Sequence, residues 1–290
     1  MNFLPLIIVL IIIGLAVLFA LRNHYELYHL NTTYYEVASE KIRREDTLKV
    51  VMLADLHSRN YGEENSQLLE RVAKEKPDMI LLAGDIVTSH RVPDYTNDRK
   101  LFQNLLKIAP VYYAYGNHEK KMSLPNSPAC PKWTAFHHEL EEMGVVFLRN
   151  KSIDLNESIL LTGLDIDFRY YKKVKREYYK TEQMKKDLAE ADRKRFNIVL
   201  AHNPRFFKTY AESGRDLFLA GHYHGGAFRI AGKIGVISPQ FRFFPRYSKG
   251  LYRREATRMI VTGGCGSHKV NLRIQNRPEV VVINIHGNIV

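Results

Sequence analysis

Apolar and polar positions follow two regimes along the chain. The first is one uninterrupted block: from Phe3 to Leu21, FLPLIIVLIIIGLAVLFAL carries no charge. At a rise of about 1.5 Å per residue this run nearly crosses a hydrocarbon core of about 30 Å. It has no polar face to turn to water, so it reads as one N-terminal transmembrane helix. The rival reading is a cleavable secretory signal, which needs a basic start and small residues before the cut. Here no Lys or Arg precedes the block, and Leu18-Phe19-Ala20 is a poor cleavage site. The pattern thus divides the chain into an anchor over 1–22, a juxtamembrane connector without sustained periodicity over 23–47, and a main domain over 48–290.

The second regime is a rhythm. Short aliphatic or β-branched runs, LKVVMLA (48–54), MILLA (79–83), VYYAY (111–115), NIVLA (197–201) and DLFLA (216–220), are each followed at once by Asp, His, Asn and Gly. Continuous runs of this length suit strands buried on both faces. Between them lie helical patterns: NSQLLERVAKEK (65–76) with Asn65 or Ser66 as cap and Pro77 beyond its end, RKLFQNLLKIA (99–109), WTAFHHELEEM (133–143) closed by Gly144, and TEQMKKDLAEA (181–191). The tail PEVVVINIHGNIV (278–290) reads as a further strand. Alternating strands and helices predict a layered α/β fold, whose ligand sites gather beyond the carboxyl ends of the strands. All five polar clusters sit there.

Composition narrows the chemistry. The 45% hydrophobic and 26% charged content is that of a globular chain, which excludes disorder and collagen. With only Cys130 and Cys265, a disulfide framework or a four-thiolate zinc site is excluded, and any metal falls to His, Asp, Asn or Glu. The 43 Lys and Arg against 31 Asp and Glu leave a net charge of +12, which favours anionic partners. Arg22, Lys41, Arg43 and Arg44 follow the apolar block and nothing basic precedes it. The positive-inside rule therefore places the domain in the cytoplasm, although Glu26, Glu36, Glu40, Glu45 and Asp46 share the segment.

In order, the clusters are Asp55-Leu56-His57, Gly84-Asp85, Gly116-Asn117-His118-Glu119, Ala201-His202-Asn203 and Gly221-His222-Tyr223-His224. Carboxylate oxygen and neutral imidazole nitrogen suit Mn, Fe or Zn, and a bridging carboxylate can hold two such ions about 3.5 to 4 Å apart. On an extended segment, alternate side chains share a face, so Asp55 with His57, and His222 with His224, are expected to converge on one centre each. Glycines before Asp85, Asn117 and His222 are expected to relax the backbone where strand turns to loop.

The ordered set DxH, GD, GNHE, H and GHxH, spread over residues 55 to 224, resembles the calcineurin-like metallophosphoesterase superfamily. Anchor and size are similar to its bacterial membrane-anchored branch, which includes phospholipid-linked pyrophosphatases. The resemblance implies a calcineurin-like four-layer fold, a β-sandwich flanked by helices, and two divalent ions. Asp55, His57, Asp85 and His224 would hold one ion, and Asp85, Asn117, His202 and His222 the other. His118 would face the phosphate as general acid or charge stabiliser. The sequence departs from the branch after the last histidine pair, reading Gly225-Gly226-Ala227 where members often have Gly-Gly-Gln, which bears on the shape of the substrate pocket.

Outside the signature, His137 and His138 read as ordinary helix residues beside Glu139, Glu141 and Glu142, while His24 and His29 suit a membrane interface. His90, His268 and His286 have no partner spacing, and His268 follows Gly263-Gly264-Cys265-Gly266. Two basic aromatic stretches, FRYYKKVKREYYK (168–180) and QFRFFPRYSKGLYRR (240–254), read either as solvated charged faces or as rims seated on an anionic membrane surface. Nucleic-acid stacking fits the same composition. Tethering favours a phosphorylated, lipid-linked substrate. A phosphodiesterase for soluble nucleotides or nucleic acid, and an inactive metal-binding scaffold for lipid headgroups, are the alternatives; no protein partner is expected.

Overall fold

The apolar runs become strands because each alternates its side chains between two dry faces. In the computed structural model, which describes residues 3–89, 94–172, 177–226, 228–238, 243–267 and 271–288, a long helix α1 (Leu4–Tyr28) leads into fourteen strands and six further helices. In chain order the strands are β1 (Asn31–Ala38), β2 (Leu48–Leu53), β3 (Met79–Leu82), β4 (Val111–Tyr113), β5 (Val146–Phe147), β6 (Lys151–Asp154), β7 (Ile159–Gly163), β8 (Phe196–Leu200), β9 (Leu217–Ala220), β10 (Arg229–Ile230), β11 (Ile234–Gly235), β12 (Gly250–Arg254), β13 (Thr257–Val261) and β14 (Glu279–His286). The helices after α1 are α2 (Ser66–Lys74), α3 (Thr96–Ile108), α4 (Asn117–Met122), α5 (Cys130–Met143), α6 (Thr181–Asp187) and α7 (Phe207–Ala211).

Two six-stranded mixed sheets result, ordered β1-β14-β2-β3-β4-β5 and β12-β13-β9-β8-β7-β6, with β10 and β11 as a small separate hairpin. The runs β2-β3-β4-β5 and β7-β8-β9-β13 are parallel. Alternation along each strand explains the layering. Val50 and Met52 of β2 meet Ile198 and Leu200 of β8 and Leu217 and Leu219 of β9 in the core between the sheets. Val51 and Leu53, one position over, face Leu68, Val72, Phe102 and Leu140 of α2, α3 and α5. On the second sheet Val199 and Phe218 face Met184, Phe207 and Tyr210 of α6 and α7. The order is helices, sheet, sheet, helices: two mixed sheets in an α/β sandwich.

The stretch 23–47 is not the connector its irregular pattern suggests. Residues 31–38 form β1, paired in parallel with all eight positions of β14 at the edge of the first sheet. Its Tyr34 and Glu36 face is solvated, and polar residues lie on both faces, Thr33 Oγ1 donating to the buried Glu279 and Tyr34 Oη to Glu75, so it lacks the apolar run that marks the inner strands. α1 extends beyond the apolar block, and its Glu26 and Leu27 are buried against the domain. The α2 cap also differs from expectation: Asn65 is left-handed, and its side chain bonds Tyr61 and Asn60 rather than the helix terminus.

Candidate metal centre

Parallel strands end together, which brings five loops from two sheets to one place. Asp55 and His57 follow β2, Asp85 follows β3, Asn117 and His118 open α4 after β4, His202 follows β8, and His222 and His224 follow β9. Candidate ligand atoms fall into three overlapping groups, within each of which all lie inside 4.8 Å of one another: Asp55, His57 and His224; His57, Asp85 and His118; Asp85, His202 and His222. Asp85 belongs to two of them. His222 and His224 do not converge on one centre, as alternation on an extended segment suggests, but divide between the Asp85 and Asp55 groups. The backbone explains this, because Asp55, His57, Asp85, His222 and His224 all adopt left-handed φ between 50° and 71°. Non-glycine residues rarely do so, and each costs of order 1–3 kcal/mol, which the surrounding strands must hold in place.

The glycines matter more for close approach than for freedom. Gly84 does take a left-handed φ of +91°, but Gly116 and Gly221 do not. A Cβ on Gly116 would lie 2.2 Å from Asp85 Oδ1, and one on Gly221 would lie 2.5 Å from Asp55 Oδ2.

Hydrogen bonds fix which atom of each ligand faces inward. His202 Nδ1 lies 2.7 Å from the Ala83 carbonyl and His224 Nδ1 3.3 Å from that of Gly266. A carbonyl only accepts, so both rings carry a proton on Nδ1 and turn Nε2 to the centre. His224 Nε2 approaches His57 Nε2 to 3.1 Å, and His202 Nε2 lies 3.2 Å from Asp85 Oδ2. His118 has the opposite arrangement: the Ser89 backbone N–H donates to its Nδ1 at 2.8 Å, so a neutral ring holds its proton on Nε2. Asp55 accepts the His222 N–H at 2.8 Å, and Asp85 accepts that of His118, also at 2.8 Å.

This donor set fits divalent cations. Asn117 Oδ1 is buried with no hydrogen-bond partner among the described residues, an arrangement whose cost a cation removes. Three carboxyls, Asp55, Asp85 and Glu119, are buried together. Burial and the neighbouring Asp85 charge push Asp55 and Glu119 up to about 7. Burial raises Asp85 as well, but the imidazoles of His202, His118 and His57 outweigh it and hold the carboxyl well below the usual range.

Glu119 is the residue the sequence pattern underrates. Its two oxygens accept from the backbone N–H of Asp85, Val87 and Gly116 and from Tyr113 Oη, tying the loops after β3 and β4 together. The local signal was present, since a carboxylate three residues after a helix-opening glycine bonds back to the start of the helix. Gly264 and Gly266 also press on Asp55 and Leu56, and Cys265 and Gly266 donate to the carbonyls of Ala54 and Asp55. The described parts of the basic aromatic stretches mix buried and exposed positions. Tyr170, Tyr171 and Tyr179 are buried, with the Tyr171 ring 5.4 Å from that of His222. Residues 250–254 are strand β12, while Phe243 and Phe244 are exposed. His90, Lys173, Lys175, Arg176, Ala227, Gln240 and His268 lie outside the described residues. His137 stacks on Phe147 at 3.8 Å, as an ordinary helix residue does.

The model of the calcineurin-like phosphoesterase family matches residues 48–226, more than half of the chain. Among similar proteins, an uncharacterized metallophosphoesterase of Aquifex aeolicus (strain VF5) is 28% identical over 94% of this chain and 98% of its own length. The YpbG protein of Bacillus subtilis (strain 168) is 24% identical over 89% and 88%, and the phosphodiesterase YaeI of Escherichia coli (strain K12) is 27% identical over 82% of each chain. Five loops carrying a dinuclear-type His and Asp site on an α/β sandwich, and a family match over those loops, lead to one conclusion: the chain belongs to the calcineurin-like phosphoesterases, a family of metal-dependent enzymes.

Proposed function

We propose that this chain is a membrane-anchored, two-metal hydrolase of a phosphodiester, phosphomonoester or pyrophosphate bond in a lipid-linked substrate. The observation that carries the chemistry is that, of the two residues shared between candidate groups, His57 and Asp85, only Asp85 is a carboxylate with an oxygen for each side, which makes it the natural bridge. Asp55, His57, His224 and Asp85 would hold one ion, and Asp85, Asn117, His202 and His222 the second. Two divalent ions bound there supply Lewis acidity to the phosphate and lower the pKa of a bound water from 15.7 to about 7. His118 completes the site from the protein side. With Nδ1 accepting from Ser89, a neutral ring carries its proton on Nε2 beside Asp85, the position of a general acid toward a leaving oxygen, a contribution typically worth 10²–10⁴ in rate. A scaffold that only bound headgroups would have no use for that placement.

Three observations support a lipid-linked substrate. None of the apolar window of α1 is buried in the protein, Phe243 and Phe244 are exposed, and the net charge is +12. Arg22, Lys41, Arg43 and Arg44, which follow the apolar block, favour a cytoplasmic domain. The name of the Escherichia coli relative favours a diester among the possible bonds. The test is a comparison of substrates on the full chain in detergent–lipid micelles with Mn²⁺: lipid pyrophosphates, bis-p-nitrophenyl phosphate and cyclic nucleotides. The lipid substrate should exceed cyclic nucleotides at least about tenfold in kcat/KM, a difference of about 1.4 kcal/mol in transition-state binding. The reverse order would assign the enzyme to soluble nucleotides.

A further inference from the structure

A carboxylate at the foot of an apolar helix is expected to point to water, yet Glu26 is fully buried. One oxygen takes the Arg22 guanidinium at 2.6 Å, and the other accepts the backbone N–H of Asn276, also at 2.6 Å. One turn earlier, the Asn23 side chain accepts the Arg273 backbone N–H at 2.8 Å and donates to the Asn271 carbonyl at 3.1 Å. The foot of α1 therefore grips the 271–276 segment at three backbone groups, across some 250 residues of chain.

That segment leads straight to a candidate ligand. The Asn276 amide donates to the carbonyls of His224 at 2.7 Å and Gly226 at 2.6 Å, bracketing Gly225. Only a glycine fits between them, because a Cβ there would lie 2.3 Å from Asn276 Oδ1. A second route starts at Arg273, whose buried guanidinium donates to the carbonyls of Asn276 at 2.9 Å, Gly263 at 2.8 Å and Gly266 at 2.5 Å. The same Gly266 carbonyl faces His224 Nδ1, and the Gly266 N–H donates to the Asp55 carbonyl at 2.7 Å. His224 is held at its backbone by one route and at its ring by the other, and both end on α1.

We infer that the last two turns of α1 are part of the metal centre, with Glu26 and Asn23 acting as positioning residues for the loop that carries His224. The inference rests on the two-metal reading. Its consequence is that the membrane helix and the centre form one rigid unit, so the helix sets how the catalytic face stands relative to the bilayer rather than serving as a loose tether. Groups bonded directly to a ligand are typically worth 10–100-fold in metal affinity, and Glu26 and Asn23 act one and two residues further out, which places their effect at the low end of that range.

The test uses the full chain in detergent, stripped of metal and titrated with Mn²⁺ by calorimetry, beside metal-free unfolding followed by circular dichroism. The parent should bind two ions. Glu26→Ala should weaken one of them about 10-fold and leave the other near its parent affinity. Glu26→Gln, which keeps an acceptor oxygen for the Asn276 N–H, should restore most of the loss, and Arg22→Ala should change neither ion. Asn23→Ala, acting through the second route, should produce the same one-sided loss and decides the matter if Glu26→Ala does not fold. Equal weakening of both ions with a lower metal-free unfolding temperature, unchanged binding of both, or failure of both alanine variants to fold would overturn the inference. A parent that binds fewer than two ions would instead overturn the two-metal reading beneath it.

Discussion

At Asp85, burial favours the neutral carboxyl and three imidazoles favour the charged one, and the imidazoles win. A charged, shared ligand is what a two-ion site needs at its middle, and Asn cannot replace it. Asp85→Asn keeps the shape but removes the charge, so turnover and metal content should fall together, read by hydrolysis of bis-p-nitrophenyl phosphate and by elemental analysis. Activity near the parent level in metal-defined buffer would end the bridging assignment. His118 makes the contrasting case, because Ser89 occupies its Nδ1 and its proton faces outward from the ring on the other nitrogen. His118→Ala should keep both ions and lose about 10²–10⁴ in kcat. A fall in metal stoichiometry would make His118 a ligand.

The loops that carry these residues are strained, and the strands beneath them bear that strain. Five candidate ligands sit at left-handed φ, tolerable because β2, β3 and β9 are each paired on both sides within their sheets. Glu119 adds four hydrogen bonds across the same loops. The edge strand β1 matters at this scale too. It covers the full length of β14, whose residues are almost all buried. A chain beginning at Leu48 would leave β14 as an apolar, unpaired edge, a template for association. Size-exclusion chromatography and thermal unfolding should show that shortened chain aggregated or less stable than the full one. A monomer of unchanged stability would mean that β1 is dispensable.

For the molecule as a whole, the buried carboxyl cluster makes stability depend on cations. Ions that bind only the folded state at 100 times their dissociation constant stabilise by about 2.7 kcal/mol per site, which for two sites in a chain of this size raises the unfolding midpoint by about 10–20 °C. Adding Mn²⁺ to chelator-treated protein should show that rise, and Asp85→Asn should show much less of it. Equal midpoints with and without Mn²⁺ would mean that the cluster is satisfied without ions. The exposed α1 and the docked foot of that helix give the molecule a polarity that the domain alone lacks.

The inner strands β2, β3, β4, β8, β9 and β14, the helices α2, α3, α5 and α6 and the five polar clusters were legible in the chain, because each is a contiguous pattern whose cause is local: alternation between two dry faces, a helical stripe, a polar turn at a strand end. The inner strands β7 and β13 and the short helices α4 and α7 were not read from it. The order of the clusters sufficed to point to the family. Other features depend on residues far apart in sequence and leave no local trace. β1 is a strand because β14 lies beside it, not because of its own mixed residues. The division of His222 from His224, which the family resemblance implied, follows physically from left-handed backbone that alternation cannot foresee. The binding of Glu26 to Asn276, and of Asn276 to His224, joins the first helix to the last loops. A pattern along the chain reports what each segment prefers by itself, whereas a hydrogen bond between segments exists only once packing has brought its two ends together.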